Sequence, residues 1–84
     1  MHRTDANQKE ITDAFKTLGY SVFDASKMGG GFPDIVVGKN GVNYLVEIKT
    51  AKGKLNPKQK AFHKKWLGKI YIVKSINEVI EFFA

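Results

Sequence analysis

Apolar and polar positions follow two different periods along this chain, and the changes of period mark out its elements. Between residues 5 and 18, Ile11, Ala14, Phe15 and Leu18 recur at helical spacing and form one stripe. Asp5 and Gln8 have the spacing of a capping box at the start of that helix, and Gly19 stands at its C′ stop. Tyr20 to Ala25 reads as a short strand. Met28-Gly29-Gly30-Gly31 must be a loop, because three glycines suit neither helix nor strand. Phe32 to Lys39 and Val42 to Lys49 are β-rich runs separated by Asn40-Gly41, the strongest short-range hairpin signal. After a loop from Thr50 to Leu55, Asn56 caps a helix with Pro57 in its first turn, running to about Leu67 before Gly68. Lys69 to Val73 reads as a strand. Ser75 and Glu78 form a second capping box that opens a last helix through Phe83. The order αβββαβα predicts an α/β fold: one mixed β-sheet flanked by helices, in a single domain spanning residues 1–84.

Length and composition narrow the function. Eighty-four residues, 43% of them apolar and with ten aromatics, sustain one small core and no second one. With no cysteine there is neither a disulfide framework nor a Cys-based zinc site, and His2 and His63 lie too far apart in sequence to form a ligand pair. No apolar run is long enough for a membrane span or a signal-peptide core, so a cytoplasmic protein is expected. The formal charge of +6 is unevenly placed. Between Glu47 and Glu78 there are nine lysines and no acid, while the remainder of the chain has a net charge of −3. An ordinary solvated helix face mixes both signs, whereas an all-lysine surface suits phosphate contacts with release of counterions. Lys52, Lys54, Lys58, Lys60, Lys64 and Lys65 are the candidate phosphate contacts.

The hairpin permits a sharper inference. Across a two-residue Asn40-Gly41 turn, opposed residues have numbers that sum to 81, which sets Asp34 opposite Glu47. Lys49, two residues beyond Glu47, shares their face. The other face carries Ile35, Val37, Val42, Tyr44, Val46 and Ile48 and must be buried against helices. Like charges directly opposed destabilise a strand pair, so something must compensate. Lys49 supplies part of that compensation; a divalent cation such as Mg²⁺ would supply more. Two carboxylates, a hard cation and a lysine suffice for phosphodiester hydrolysis. A surface carboxylate pair bridged by lysine, with no catalysis, has the same spacing. Gln59 falls on the stripe of Phe62, His63 and Trp66, so its amide is aimed inward and needs partners. Glu10, at the edge of the first helix's stripe, is either a solvent-exposed acid or a third carboxylate near the metal. His63 reads as a packing or polar-network residue, and Trp66, Phe62, Phe82 and Phe83 as core.

Gly30-Gly31-Phe32-Pro33-Asp34 followed by Glu47-Ile48-Lys49 resembles the signature of PD-(D/E)XK nucleases. Leu55-Asn56-Pro57-Lys58-Gln59 entering a helix resembles the virus-type replication-repair nuclease (VRR-NUC) branch. The match runs from the first helix to the last strand. The resemblance implies a restriction-endonuclease-like sheet in which Asp34 and Glu47 ligate Mg²⁺ or Mn²⁺ and Lys49 is the catalytic lysine. By the same resemblance Gln59 matches the helical glutamine, Glu10 the acid often found on the first helix, and Gly30 and Gly31 a loop passing close to the site. It further implies a homodimer of phage or bacterial type that cuts branched DNA such as four-way junctions. These 84 residues depart from the larger relatives in having no room for an accessory DNA-binding or zinc domain, so sequence-specific recognition is not expected. A ribonuclease, a non-catalytic basic nucleic-acid-binding module and an inactive regulatory subunit are the alternatives.

Overall fold

The computed structural model describes the chain from Arg3 to Ala84, with side chains from Asn7 onward. Its elements are α1 (Arg3–Thr17), β1 (Ser21–Asp24), β2 (Ile35–Lys39), β3 (Val42–Ile48), α2 (Pro57–Lys65), β4 (Ile70–Val73) and α3 (Ile76–Phe83), in the predicted order. The four strands form one sheet in the order β1-β2-β3-β4, with β1, β2 and β3 antiparallel and β4 parallel to β3. The parallel pair follows from the chain crossing the sheet through α2.

The hairpin turn sets the register. Asn40 and Gly41 have φ of +54° and +78°, the left-handed pair that a two-residue turn needs to match the strand twist. Ile35 therefore faces Val46, Val37 faces Tyr44 and Lys39 faces Val42, each pair obeying the sum expected from the sequence.

One face of the sheet makes the core. Ile35, Val37, Val46, Ile48 and Val73 are buried against Ile11 and Phe15 of α1 and Val79 and Phe83 of α3. Tyr20, Tyr44 and Tyr71 surround the Phe83 ring, and the Tyr20 hydroxyl donates to the Phe83 carbonyl oxygen (3.0 Å), tying the last helix to the start of β1. Gly19, at φ +93°, turns the chain out of α1, and Lys39 Nζ donates to the Leu18 carbonyl at that end (2.8 Å). The opposite face of the sheet is left to α2.

Several expectations are corrected. The first helix begins at Arg3, so Asp5 lies inside its first turn and is not its cap; the side chain of Asp5 is outside the described residues. The second strand begins at Ile35, after Asp34, and α2 ends at Lys65. No residue of α2 is fully buried, so little packing holds a further turn, and the chain becomes extended at Trp66 (φ −74°, ψ 121°) to enter β4. Trp66 and Phe82 are 44% and 43% exposed and do not belong to the core, which takes only Phe83 of that group whole. Ser75 caps α3 by accepting from the Glu78 amide (3.2 Å), but the Glu78 carboxylate accepts from the Lys74 amide (2.7 Å), one residue before the cap.

Candidate active site

Asp34 stands one residue before β2, where the register would next pair it with Glu47. Its carbonyl accepts from the Ala25 amide (2.8 Å), continuing the pairing with the chain after β1. On the other side its carboxylate accepts from the Ile48 amide (2.8 Å). The side chain thus takes a backbone donor of β3 and is held beside Glu47.

Glu47 is completely buried, the one charged residue among the buried side chains of the described residues. Burial pushes its carboxyl up to about 8, helped by the neighbouring Asp34 carboxylate and opposed by Lys49. Its Oε2 accepts from Gln59 Nε2 (3.2 Å). Its Oε1 has no hydrogen-bond partner, nor does His63 Nε2, which lies 3.6 Å away. Burial, and then the Lys49 charge, lower the pKa of His63, which favours the neutral imidazole.

Gln59 joins these groups. Its Oε1 accepts from Lys49 Nζ (2.7 Å) and from the Asn56 amide (2.9 Å), while Asn56 Oδ1 accepts from the Gln59 amide (2.9 Å). The same amide completes the capping box of α2 and links the lysine to the buried carboxyl. With donors at Oε1 and an acceptor at Nε2, its orientation is fixed. Gly31 lets α2 dock: at φ +83°, it lies where a Cβ would clash with the Lys58 carbonyl. Gly30, at φ +65°, has open space and serves the turn alone.

Asp34, Glu47, Lys49 and Gln59 are therefore brought together, and Glu10 is not. Glu10 is exposed and lines a groove of about 400 Å³ with Leu18, Ile76 and Ile80, on the flank of α1 that faces α3. Gln8 and Thr12 lie on the other flank and line a groove of about 700 Å³ with Asp24 and Asp34. Two residues of helix turn through about 200°, which separates Glu10 from the flank that faces Asp34. Asn7, not singled out in the sequence, donates through Nδ2 to the Lys49 carbonyl (3.3 Å) and holds α1 to the end of β3. Asp24 accepts from the amide and hydroxyl of Ser26, a two-residue spacing that was visible as a local turn, and neither residue was singled out.

The six lysines expected to meet phosphate are all exposed. Lys54 and Lys60 line a groove of about 510 Å³ with Lys49 and Lys74. Lys52 is on the loop before α2, Lys58 in the first turn of α2, and Lys64 and Lys65 in its last turn.

Among the described residues, no group of three or more His, Cys, Asp and Glu side chains is arranged to hold a metal ion. The donor set suits a cation that needs fewer protein ligands. Mg²⁺ retains several waters and is commonly held by one or two carboxylates plus substrate phosphate. Asp34 and Glu47, with Glu47 Oε1 buried and unpartnered, meet that requirement.

A solved structure described as "VRR_NUC domain" superimposes on the whole chain, and the whole of that chain is covered in return, with a TM-score of 0.81 and 27% sequence identity. The chain is thus similar over its whole length to a VRR-NUC domain. No family model matches the sequence, and no curated protein matches it. The VRR-NUC likeness implies a nuclease domain, and the four-stranded mixed sheet flanked by helices is the fold expected of one. No helix among the described residues is long and apolar enough to cross a membrane.

Proposed function

We infer that this domain is a metal-dependent endonuclease that hydrolyses phosphodiester bonds in DNA, with a preference for branched structures such as four-way junctions. The observation that carries the reading is the buried Glu47, set against Asp34 with Oε1 unpartnered and linked to Lys49 by one amide. Burying a carboxyl without full pairing is costly, and a fold that retains one is storing a binding site.

Asp34 and Glu47 would hold Mg²⁺, with Mn²⁺ as a substitute. Such an ion polarises a phosphate oxygen and lowers the pKa of bound water. The Ile48 amide fixes the Asp34 carboxylate, and the Gln59 amide fixes Glu47. Lys49 keeps its ammonium beside the carboxyl pair, where it orients the attacking water and offsets the negative charge that develops on phosphorus oxygens. Gln59 holds that ammonium in place. Lys54 and Lys60 extend the positive surface from Lys49 along the adjoining groove, where a backbone phosphate fits.

The proposal includes a homodimer, because one site per chain serves two symmetric cuts only when two chains pair. The last helix, with Ile76, Ile80 and Phe82 exposed, is the surface proposed for pairing. Sedimentation of Ile80→Glu beside the parent chain tests this, with a shift to monomer expected.

Cleavage of a labelled four-way junction, a linear duplex and an RNA of the same sequence, with and without Mg²⁺ or Mn²⁺, tests the activity. Metal-dependent cutting of the junction is expected, reduced at least about 100-fold in Asp34→Ala and Lys49→Ala. Tight binding of the junction without cleavage in either metal would overturn the enzyme reading. Cutting of RNA alone would move the substrate to the ribonucleases.

A further inference from the structure

Among the described residues two buried side-chain polar atoms have no hydrogen-bond partner, and they face each other: Glu47 Oε1 and His63 Nε2, 3.6 Å apart. Such atoms are rare in folded proteins, and each demands a reason. His63 is one helical turn after Gln59, so both project from the same face of α2. Gln59 Nε2 already donates to Oε2 of the same carboxyl group (3.2 Å). The carboxyl of Glu47 is thus approached at one oxygen by residue 59 and at the other by residue 63.

We propose that His63 is a positioning residue: its Nε2–H is aimed at Glu47 Oε1, and together with Gln59 it makes α2 a two-pronged clamp on the Glu47 carboxylate. The clamp orients that carboxylate when it is ionised and shared with a divalent cation. At 3.6 Å the two atoms lie just beyond hydrogen-bond range, and a shift of a few tenths of an ångström in either side chain closes the contact. Ring-nitrogen donors to metal-binding carboxylates orient the ligand without touching the ion, and their removal typically weakens metal affinity about 10–100-fold. The geometry also explains the lack of a fully buried apolar residue in α2: the helix docks on the sheet partly through polar side chains. This inference rests on the metal-dependent reading of the site for its consequence, though not for its geometry.

The test uses the intact protein and two readouts. Long-range proton–nitrogen NMR of ¹⁵N-histidine-labelled protein reads the tautomer of His63 directly, with and without Mn²⁺-free Mg²⁺. Calorimetric titration of Mg²⁺ then compares the parent chain with His63→Phe, which fills the space without a donor, and His63→Gln, which restores one. The expected result is the Nε2–H tautomer, a loss of Mg²⁺ affinity of about tenfold or more in His63→Phe, and recovery of most of it in His63→Gln. An Nδ1–H tautomer, or unchanged affinity in His63→Phe, would overturn the clamp. If the parent chain takes up no Mg²⁺, the metal reading fails, and the tautomer alone then decides for or against the clamp. Equal unfolding temperatures of the two variants in chelator ensure that the comparison reports the donor and not the packing.

Discussion

At Glu47 a single carboxyl has been removed from water and set against another, and both effects favour its protonated form in the absence of a cation. Its pKa rises from 4.5 to about 8, first through burial and then through Asp34. The folded state therefore binds this proton more tightly than the unfolded chain does. The stabilisation is complete below the unfolded value and is lost as pH rises through the folded one. In chelator, the unfolding temperature is expected to fall between about pH 4.5 and 8. Glu47→Gln, which keeps the shape and cannot ionise, should flatten that part of the profile. It should match the parent chain near pH 5 and exceed it at pH 9, while abolishing cleavage. Thermal unfolding across that range checks both chains; a parent-chain profile that rises with pH through this window would contradict the assignment of the proton to Glu47.

The N-terminus of α2 concentrates structure and chemistry in one element. Gln59→Ala removes half of the capping box and both links to the site, so a loss of about 1 kcal/mol in stability is expected together with a large loss of activity. Gln59→Glu keeps an acceptor for Lys49 and the Asn56 amide but sets a third carboxylate against Glu47. Its activity should fall although its cap survives, and circular dichroism beside the cleavage assay separates the two effects. Gly31→Ala meets both a positive φ and the Lys58 carbonyl, so it should cost more than Gly30→Ala, which meets only the φ; denaturant titration ranks them. Much of this was legible beforehand. Asn40-Gly41 specified a turn type, the turn specified the register, and the register set Asp34 opposite Glu47 without any tertiary information. The inward aim of Gln59 followed from helical spacing. What stayed hidden depends on how elements pack. Glu10 sits at the margin of its stripe, and only the placement of α3 decides that this margin looks away from Asp34. Nor does spacing alone show that His63 ends 3.6 Å from Glu47, since that distance depends on the angle at which α2 crosses the sheet. Trp66 and Phe82 were read as core on hydrophobicity, yet a domain of this size has too little interior to cover every aromatic.

Over the whole molecule, the charge asymmetry of the sequence becomes a spatial one. Asp13, Asp24 and Asp34, with Lys9 and Lys16, border one groove; Lys49, Lys54, Lys60 and Lys74, with Glu78 as the one acid, border another; and the Glu47–Lys49 segment at the end of β3 runs between them. A polyanion laid along the basic groove would bring a phosphate up to the carboxyl pair from the lysine side, so attraction and catalysis share one approach. This arrangement ranks the six exposed lysines. Lys54 and Lys60 line the groove beside Lys49, whereas Lys64 and Lys65 are a turn or more further along α2. Each phosphate contact on duplex DNA contributes about 0.9 to the slope of log affinity against log salt. Replacing Lys54 and Lys60 by Ala together should therefore lower the slope by about 1.8 and weaken binding of every sequence alike. Replacing Lys64 and Lys65 together removes the same formal charge but should change the slope by less than about half as much. Fluorescence anisotropy with a labelled junction, from low to moderate salt and in the absence of divalent ions, measures both slopes. Equal reductions in the two double variants would mean that the lysines act as a diffuse field and that this groove is not where the backbone lies.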